Sequence, residues 1–279
     1  MVKNIVYKLI CTDMDGTLLG ENHEVSENNK NALRKASELG VKVAITTGRL
    51  FTSAKAYADL VGVEAPIISA NGAYIREKDR NEVIYESILE NEQLEFIDNV
   101  IKKYGLLGYF NTCDSVITES ELPENHGYVI MNKNLPEESR VKVQLVDDFK
   151  TGFKQNEGKI LKSIMFGEEE KLIEARKELF QFGRFELVSS WKGNLEVMQK
   201  ETTKGHAVKI LAERLGIKRE EIICIGDGEN DISMIKYAGL GVAMGNAEEY
   251  IKEKADYVTY TNVNDGVAKV VEKFILKQQ

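Results

Sequence analysis

Apolar runs rich in Val and Ile alternate with amphipathic segments at both ends of the chain, and this rhythm constrains the fold more than any other feature. Ile5 to Thr12 reads as a strand, closed by the Asp-Gly-containing segment that follows. Ser26 stands where a helix N-cap is expected and Glu27 suits the positive first turn. Leu33, Ala36 and Leu39 then recur at helical spacing until Gly40 supplies a stop. Val41–Ile45 is a second strand, Phe51–Leu60 a second helix closed near Gly62, and Pro66–Ser69 a third strand. Parallel neighbours need a crossover between them, so a βαβαβ order implies an α/β fold whose parallel sheet is covered on both faces. The rhythm returns in the helix Lys204–Leu215, with Ala207, Ile210, Leu211 and Leu215 on one face, and in the strand Ile222–Ile225. It continues through Val242 and Tyr257 to a last helix, where Val267, Val270, Val271, Phe274 and Ile275 make an apolar stripe that packs on the sheet.

The middle of the chain, from about Tyr85 to Met198, has a different texture. A helix around Glu92–Tyr104 precedes two short strands near Leu107 and Val116, and then helix, strand, helix and strand pass through Asp148, Ile164, Phe180 and Leu187. This reads as an inserted α+β domain, residues 85–198, within a discontinuous core of residues 1–84 and 199–279. Glu77–Glu82 and Lys200–Thr203 are the expected hinges.

A hydrophobic fraction of 43% over 279 residues can fill a proper core. With 37 Lys+Arg against 45 Asp+Glu, the net charge of -8 argues against nucleic acid or an anionic membrane as partner while leaving room for local basic pockets. Cys11, Cys113 and Cys224 lack metal-ligand spacing and read as reduced thiols. The first residues do not have the pattern of a secretory signal, and no apolar run approaches roughly 18 residues, so a cytoplasmic location is expected. Oligomeric state is not legible.

Asp13 and Asp15 lie two apart at a strand end. If the extended geometry persists, both carboxylates project to one face at the carboxyl edge of the sheet, where open α/β sheets place ligands. Close carboxylates repel unless a cation or shared proton relieves them, which calls for a hard divalent metal such as Mg²⁺. The plain alternative is an Asp-Gly turn with a solvated Asp before it; the Asp-x-Asp of a nucleotide-sugar transferase would need a nucleotide-binding half that has no room upstream. Gly226-Asp227-Gly228-Glu229-Asn230-Asp231 repeats the pattern after the apolar strand Ile222–Ile225, with Asp227 able to complete a metal site; alone it could be a turn and N-cap. Thr47-Gly48-Arg49 follows the second strand and Lys204 opens a helix, both suited to an anion yet individually common on loops and surfaces. In combination the four segments fall at strand–helix junctions on one edge of one sheet.

In that order and spacing the segments resemble the haloacid dehalogenase-like superfamily over nearly the whole chain. Asp13–Thr17 matches its first motif, Thr47 the second, Lys204 the third and Gly226–Asp231 the fourth. The insertion resembles the C2-type cap of the Cof-like phosphatases, the IIB group, and Asn71-Gly72-Ala73 resembles that group's Asn-Gly-Ala turn. Thr46, where Ala is common, and Gly228, where Ser is frequent, are small departures.

The resemblance implies a Rossmann-like parallel-sheet core and hydrolysis of a small phosphate monoester, a sugar phosphate or a phosphorylated cofactor, through an aspartyl-phosphate. It implies Asp13 as nucleophile and Asp15 as the acid and later the base. Mg²⁺ would be held by Asp13, the Asp15 carbonyl and Asp227, with Asp231 bracing them. Thr47, Gly48, Arg49, Asn71, Lys204 and Asn230 would surround the phosphoryl group. A sugar phosphomutase and a phosphosugar-binding sensor without turnover are the alternatives. Tyr109, Asn111, Asp114, Arg184 and Trp191 are cap positions that could touch a leaving group, although a fold or surface role is the commoner one for such residues. His23, His126 and His206 show no catalytic pattern, and Cys113 is unassigned.

Overall fold

The protein is described here by a computed structural model covering residues 7–278 except 22, 63–65, 134, 191 and 192. In chain order the elements are β1 (Leu9–Asp13), α1 (Glu27–Glu38), β2 (Lys42–Thr46), α2 (Phe51–Val61), β3 (Ile67–Ser69), β4 (Tyr74–Arg76), β5 (Val83–Glu86), α3 (Asn91–Tyr104), β6 (Leu107–Asn111), β7 (Ser115–Thr118), α4 (Gly127–Lys133) and β8 (Lys142–Leu145). There follow α5 (Phe149–Gln155), β9 (Lys162–Phe166), α6 (Glu169–Phe182), β10 (Phe185–Val188), β11 (Asn194–Gln199), α7 (Lys204–Leu215), β12 (Ile222–Gly226), α8 (Ile232–Tyr237), β13 (Leu240–Ala243), α9 (Glu249–Lys252), β14 (Tyr257–Val258) and α10 (Gly266–Phe274).

The strands form two sheets. The larger has the order β14-β13-β12-β1-β2-β3-β4-β5 and is parallel from β14 to β3, with β4 and β5 added antiparallel at one edge. Successive side chains of β1 point to opposite faces: Ile10 packs with Leu33, Val267 and Val270, whereas Leu9 and Cys11 pack with Val208, Leu211 and Met234. Helices therefore cover both faces, and every residue of β1 is buried. The N-cap expectation holds, since Ser26 accepts from the Asn29 amide. Cys11 and Cys224 face one another across β1 and β12 as free thiols. The described strand begins at Leu9; Ile5 lies outside the described residues.

The smaller sheet has the order β10-β11-β9-β6-β7-β8 and is antiparallel apart from β7 with β8. One face, with Phe110 and Leu195, packs on the helical residues Ile97, Phe149 and Leu179. The other carries Tyr109, Val116 and Ile164 and joins Leu50 from the start of α2. That face looks onto the carboxyl ends of the larger sheet's strands.

Five elements were not legible: β4, β5, α4, β8 and β11. Helix α4 buries none of its residues, and β8 exposes Val143 and Leu145, so neither has the one-sided pattern that marks a core element. The expected hinge at Glu77–Glu82 is instead the turn of the β4–β5 hairpin, because β5 returns to the larger sheet. The chain crosses between sheets at residues 87–90 and 200–203, where the Ser87 and Thr202 hydroxyls lie 2.8 Å apart. Among the described residues no helix is long and apolar enough to cross a membrane.

Candidate active site

Register brings the separate segments together. Asp13 pairs with Thr46 on β2, and Thr12 lies beside Ile225 on β12, so the loops after β1, β2 and β12 leave the sheet at one level. A cavity of about 360 Å³ sits there between the two sheets, with Asp13, Asp15, Thr47, Arg49, Asp227 and Asn230 in its wall.

The strand ends at Asp13, and the turn from Met14 that follows sends the two carboxylates to different partners, so the expectation that they share an extended face needs correction. Asp13 is buried and its Oδ1 accepts from Lys204 Nζ at 2.5 Å. Asp15 is half-exposed and receives both arms of the Arg49 guanidinium, at 2.7 and 2.6 Å. Burial opposes ionisation of Asp15, but hydrogen bonding and charge from Arg49 outweigh it and hold the pKa below its ordinary value. Asp13 behaves oppositely: burial and the neighbouring Asp231, Asp227 and Asp15 carboxylates raise its pKa well above the usual range, with Lys204 only partly compensating.

Lys204 is the first residue of α7, whose N-cap Thr203 accepts from the His206 amide, and its side chain is wholly buried. Its ammonium also reaches Asp231 Oδ1 at 2.6 Å. Burial would lower the Lys204 pKa, but the Asp13 and Asp231 carboxylates raise it. Asp231 Oδ2 accepts from the Asp227 and Gly228 amides, both at 2.9 Å, which folds the loop after β12 back on itself. Asp227 accepts from the Thr17 hydroxyl at 2.6 Å, and burial followed by Asp231 pushes its pKa up to about 7. Gly16 is required beside it: its φ is +81°, and a Cβ there would lie 2.3 Å from Asp227 Oδ2.

A divalent cation suits this set. Carboxylate oxygens of Asp13, Asp227 and Asp231 lie within 4.8 Å of one another. They are hard oxygen donors with surplus negative charge, because Lys204 is shared between two of them and Arg49 is engaged by Asp15. Asp231 already accepts three hydrogen bonds, from Lys204 and two amides, which leaves Asp13 and Asp227 as the more available carboxylates.

On the anion side, Thr47 is buried and its hydroxyl accepts from the Arg49 amide at 3.1 Å. Arg49 also lies over the Tyr57 ring, 4.6 Å from its centroid, and its occupied fork contrasts with the free anion ligand expected of it. Asn71 has left-handed backbone, φ 55°; its amide donates to Glu196 at 2.9 Å and its carbonyl accepts from Asn230 at 3.0 Å. Lys204 and Asn71 thus stand behind the cavity wall.

Of the five cap positions, Tyr109 and Asn111 line the cavity, and Asn111 Oδ1 is buried without a partner among the described residues. Asp114 pairs with Lys142 away from the cavity, Arg184 pairs with Glu90 and Glu92, and Trp191 lies outside the described residues. His126, for which the sequence shows no catalytic pattern, lines the cavity with its ring edge-on to Tyr109, and burial lowers its pKa. His23 lies 3.9 Å from Asp15, and His206 packs against Tyr85.

Lys162, Glu196 and Tyr128 were missed. Lys162 and Glu196 are each the single charge of a largely buried strand, a signal that a buried charge must have a partner. Tyr128 stands on the short α4, and burial pushes its hydroxyl pKa to about 12. Arg176 on α6 also crosses to the loop after β12, reaching Glu229 at 2.9 Å, and the Ser189 amide donates to the same carboxylate.

Set against known proteins, residues 10–271 match the family described as haloacid dehalogenase-like hydrolase, and the chain belongs to that family. Within it the enzyme is a phosphatase related to the Cof-type IIB group. It is 32% identical over 274 residues, 98% of each chain, to the 5-amino-6-(5-phospho-D-ribitylamino)uracil phosphatase YcsE of Bacillus subtilis. A haloacid dehalogenase-like hydrolase from Bacteroides thetaiotaomicron superposes with a TM-score of 0.82 at 33% identity, covering 96% of this chain and 100% of that one. The HAD subclass IIB sugar phosphatase BT4131 gives a TM-score of 0.77 at 29% identity, covering 96% and 98%.

Proposed function

We propose that the chain is a Mg²⁺-dependent hydrolase of a small phosphate monoester, either a sugar phosphate or a phosphorylated cofactor, acting through phosphorylated Asp13. The observation that carries this reading is the buried Asp13 side chain, 6% exposed at the cavity, oriented by Lys204 and neighboured by Asp15 and Asp227. The names of the ribitylaminouracil phosphatase and the sugar phosphatase support a small phosphorylated metabolite.

In this reading an ionised Asp13 oxygen forms a bond to phosphorus as the bond to the leaving oxygen breaks, and Asp15 gives that oxygen its proton. Asp15, now ionised, takes a proton from water, and the resulting hydroxide attacks the acyl phosphate, releasing phosphate and restoring Asp13. Asp13, the Asp15 carbonyl and Asp227 would hold Mg²⁺, with Asp231 bracing them; the bound ion supplies positive charge that lets Asp13 ionise and offsets charge on the phosphoryl oxygens. Thr47, Gly48, Arg49 and Asn230 face that group, with Lys204 and Asn71 behind them. A phosphoryl dianion competes with Asp15 for the Arg49 fork, so substrate binding frees Asp15 and lets its pKa rise toward that of a proton donor. The larger-sheet part, up to Glu86 and from Lys204, then acts as the core, and residues 91–199 as a cap that closes over the cavity, with both edges set slightly from the expected 85–198 by β5 and β11.

A Mg²⁺-dependent phosphatase screen across sugar phosphates, nucleotides and phosphorylated vitamins tests the reading. Net phosphate release from a small ester supports it. Isomerisation with no net release would favour a mutase, and binding without turnover a sensor.

A further inference from the structure

Two charged residues of the smaller sheet reach the loops at the phosphoryl end of the larger one. Lys162 on β9 and Glu196 on β11 form an ion pair, each side chain 3% exposed. Lys162 Nζ also donates to the Gly48 carbonyl at 2.6 Å. The Glu196 oxygen that meets Lys162 accepts from the Asn71 amide at 2.9 Å, and Asn71 in turn accepts from Asn230 at 3.0 Å. Two side chains from one sheet thereby connect the loops after β2, β3 and β12 of the other.

A buried pair of this kind is a poor source of stability, because taking two charges out of water offsets most of their attraction. Its effect here is orientational. An Asn side chain can present either oxygen or nitrogen along one direction, and the Glu196 carboxylate accepts only the nitrogen. That fixes the Asn71 oxygen toward Asn230 and so orients the amide of a residue in the cavity wall. Gly48 is confined from the same side, since a Cβ there would meet Asn71 Oδ1 at 3.0 Å and Glu196 Oε2 at 3.6 Å.

We propose that Lys162 and Glu196 are positioning residues that orient the phosphoryl-binding loops through Gly48, Asn71 and Asn230, so that this end of the site is complete only when the smaller sheet is seated. The proposal rests on the phosphatase reading. It assigns the pair to the part of the substrate shared by every phosphate ester, rather than to the leaving group.

Four variants test it: E196Q, K162M/E196Q, N71A and N71A/E196Q. E196Q is expected to lower kcat/KM at least tenfold by the same factor for phenyl phosphate and for a bulkier ester, and to weaken inhibition by inorganic phosphate. K162M/E196Q removes the uncompensated lysine and keeps the test valid should E196Q fold poorly; the same loss is expected at near wild-type Tm. Because Glu196 acts through Asn71, N71A/E196Q should lie within about twofold of N71A. Additive losses, a loss confined to the bulkier ester, or unchanged kinetics in K162M/E196Q would each overturn the proposal. If wild type hydrolyses no ester, the phosphatase reading fails instead, and phosphate binding to the same variants, measured by calorimetry, still decides the positioning role by the same criteria.

Discussion

The two walls of the cavity follow different rules. On the larger sheet, polar and charged groups are gathered at strand ends: Asp13 closes β1, Thr47 and Asp227 follow directly on β2 and β12, Asp231 stands in the turn after β12, and Lys204 begins a helix. On the smaller sheet, Tyr109, Asn111, Lys162 and Glu196 are scattered along strands whose alternate residues build a core with α3, α5 and α6. In the proposed reaction the groups of the first wall act on one phosphorus atom, so the same chemistry suits many caps. The second is set by side chains on separate strands, and on the proposal above its buried Lys162–Glu196 pair serves the first wall.

Removing a group from the larger-sheet wall should therefore be far costlier than any single change on the other. K204M leaves Asp13 and Asp231 buried without their cation. It should destabilise the fold by about 3–5 kcal/mol and lower kcat at least a thousandfold; chemical denaturation and steady-state kinetics measure the two effects. A variant with more than a tenth of wild-type kcat would erase the distinction between the walls. G16A should act next most strongly, because the new Cβ displaces the Asp227 carboxylate and strains the residue-16 backbone, which sits at φ +81°. A ten- to hundredfold weaker Mg²⁺ activation constant is expected, with kcat at saturating metal changed less.

The smallest effect is a pH dependence that sharpens the role of Asp227. In the metal-free protein its pKa of about 7 lies above the ordinary 3.8, so the folded chain holds a proton that the unfolded chain has lost between those values. Metal-free stability from this group thus falls as pH rises through that window. Mg²⁺ needs the ionised carboxylate, so its apparent affinity should fall by up to about tenfold per pH unit below 7. Calorimetric titrations at pH 6 and 8 should show that loss, and melting curves with saturating Mg²⁺ should lack the metal-free decline. Equal affinities at the two pH values would remove Asp227 from the metal site.

The same contrast explains what was legible in the sequence. Alternating apolar strands and amphipathic helices disclosed the parallel sheet, because burying both its faces leaves long-period signals such as Leu33, Ala36 and the Val267–Val271 stripe. Site groups adjacent in sequence to those strands came with it. Helix α4 and strand β8, with exposed apolar residues and no buried stripe, left no such signal, and neither did the crossing at residues 87–90. The Arg49–Asp15 fork and the Lys162–Glu196–Asn71 chain depend on side chains meeting over 34, 34 and 125 residues of sequence, which no local pattern records.

The most direct test of the account is Mg²⁺-dependent phosphate release from an aryl phosphate by D13N beside wild type. The substitution keeps the shape of a buried side chain next to Lys204 while removing the nucleophilic oxygen pair. The account predicts release by wild type and none above background by D13N at any Mg²⁺ concentration. Full activity in the folded D13N enzyme would contradict it.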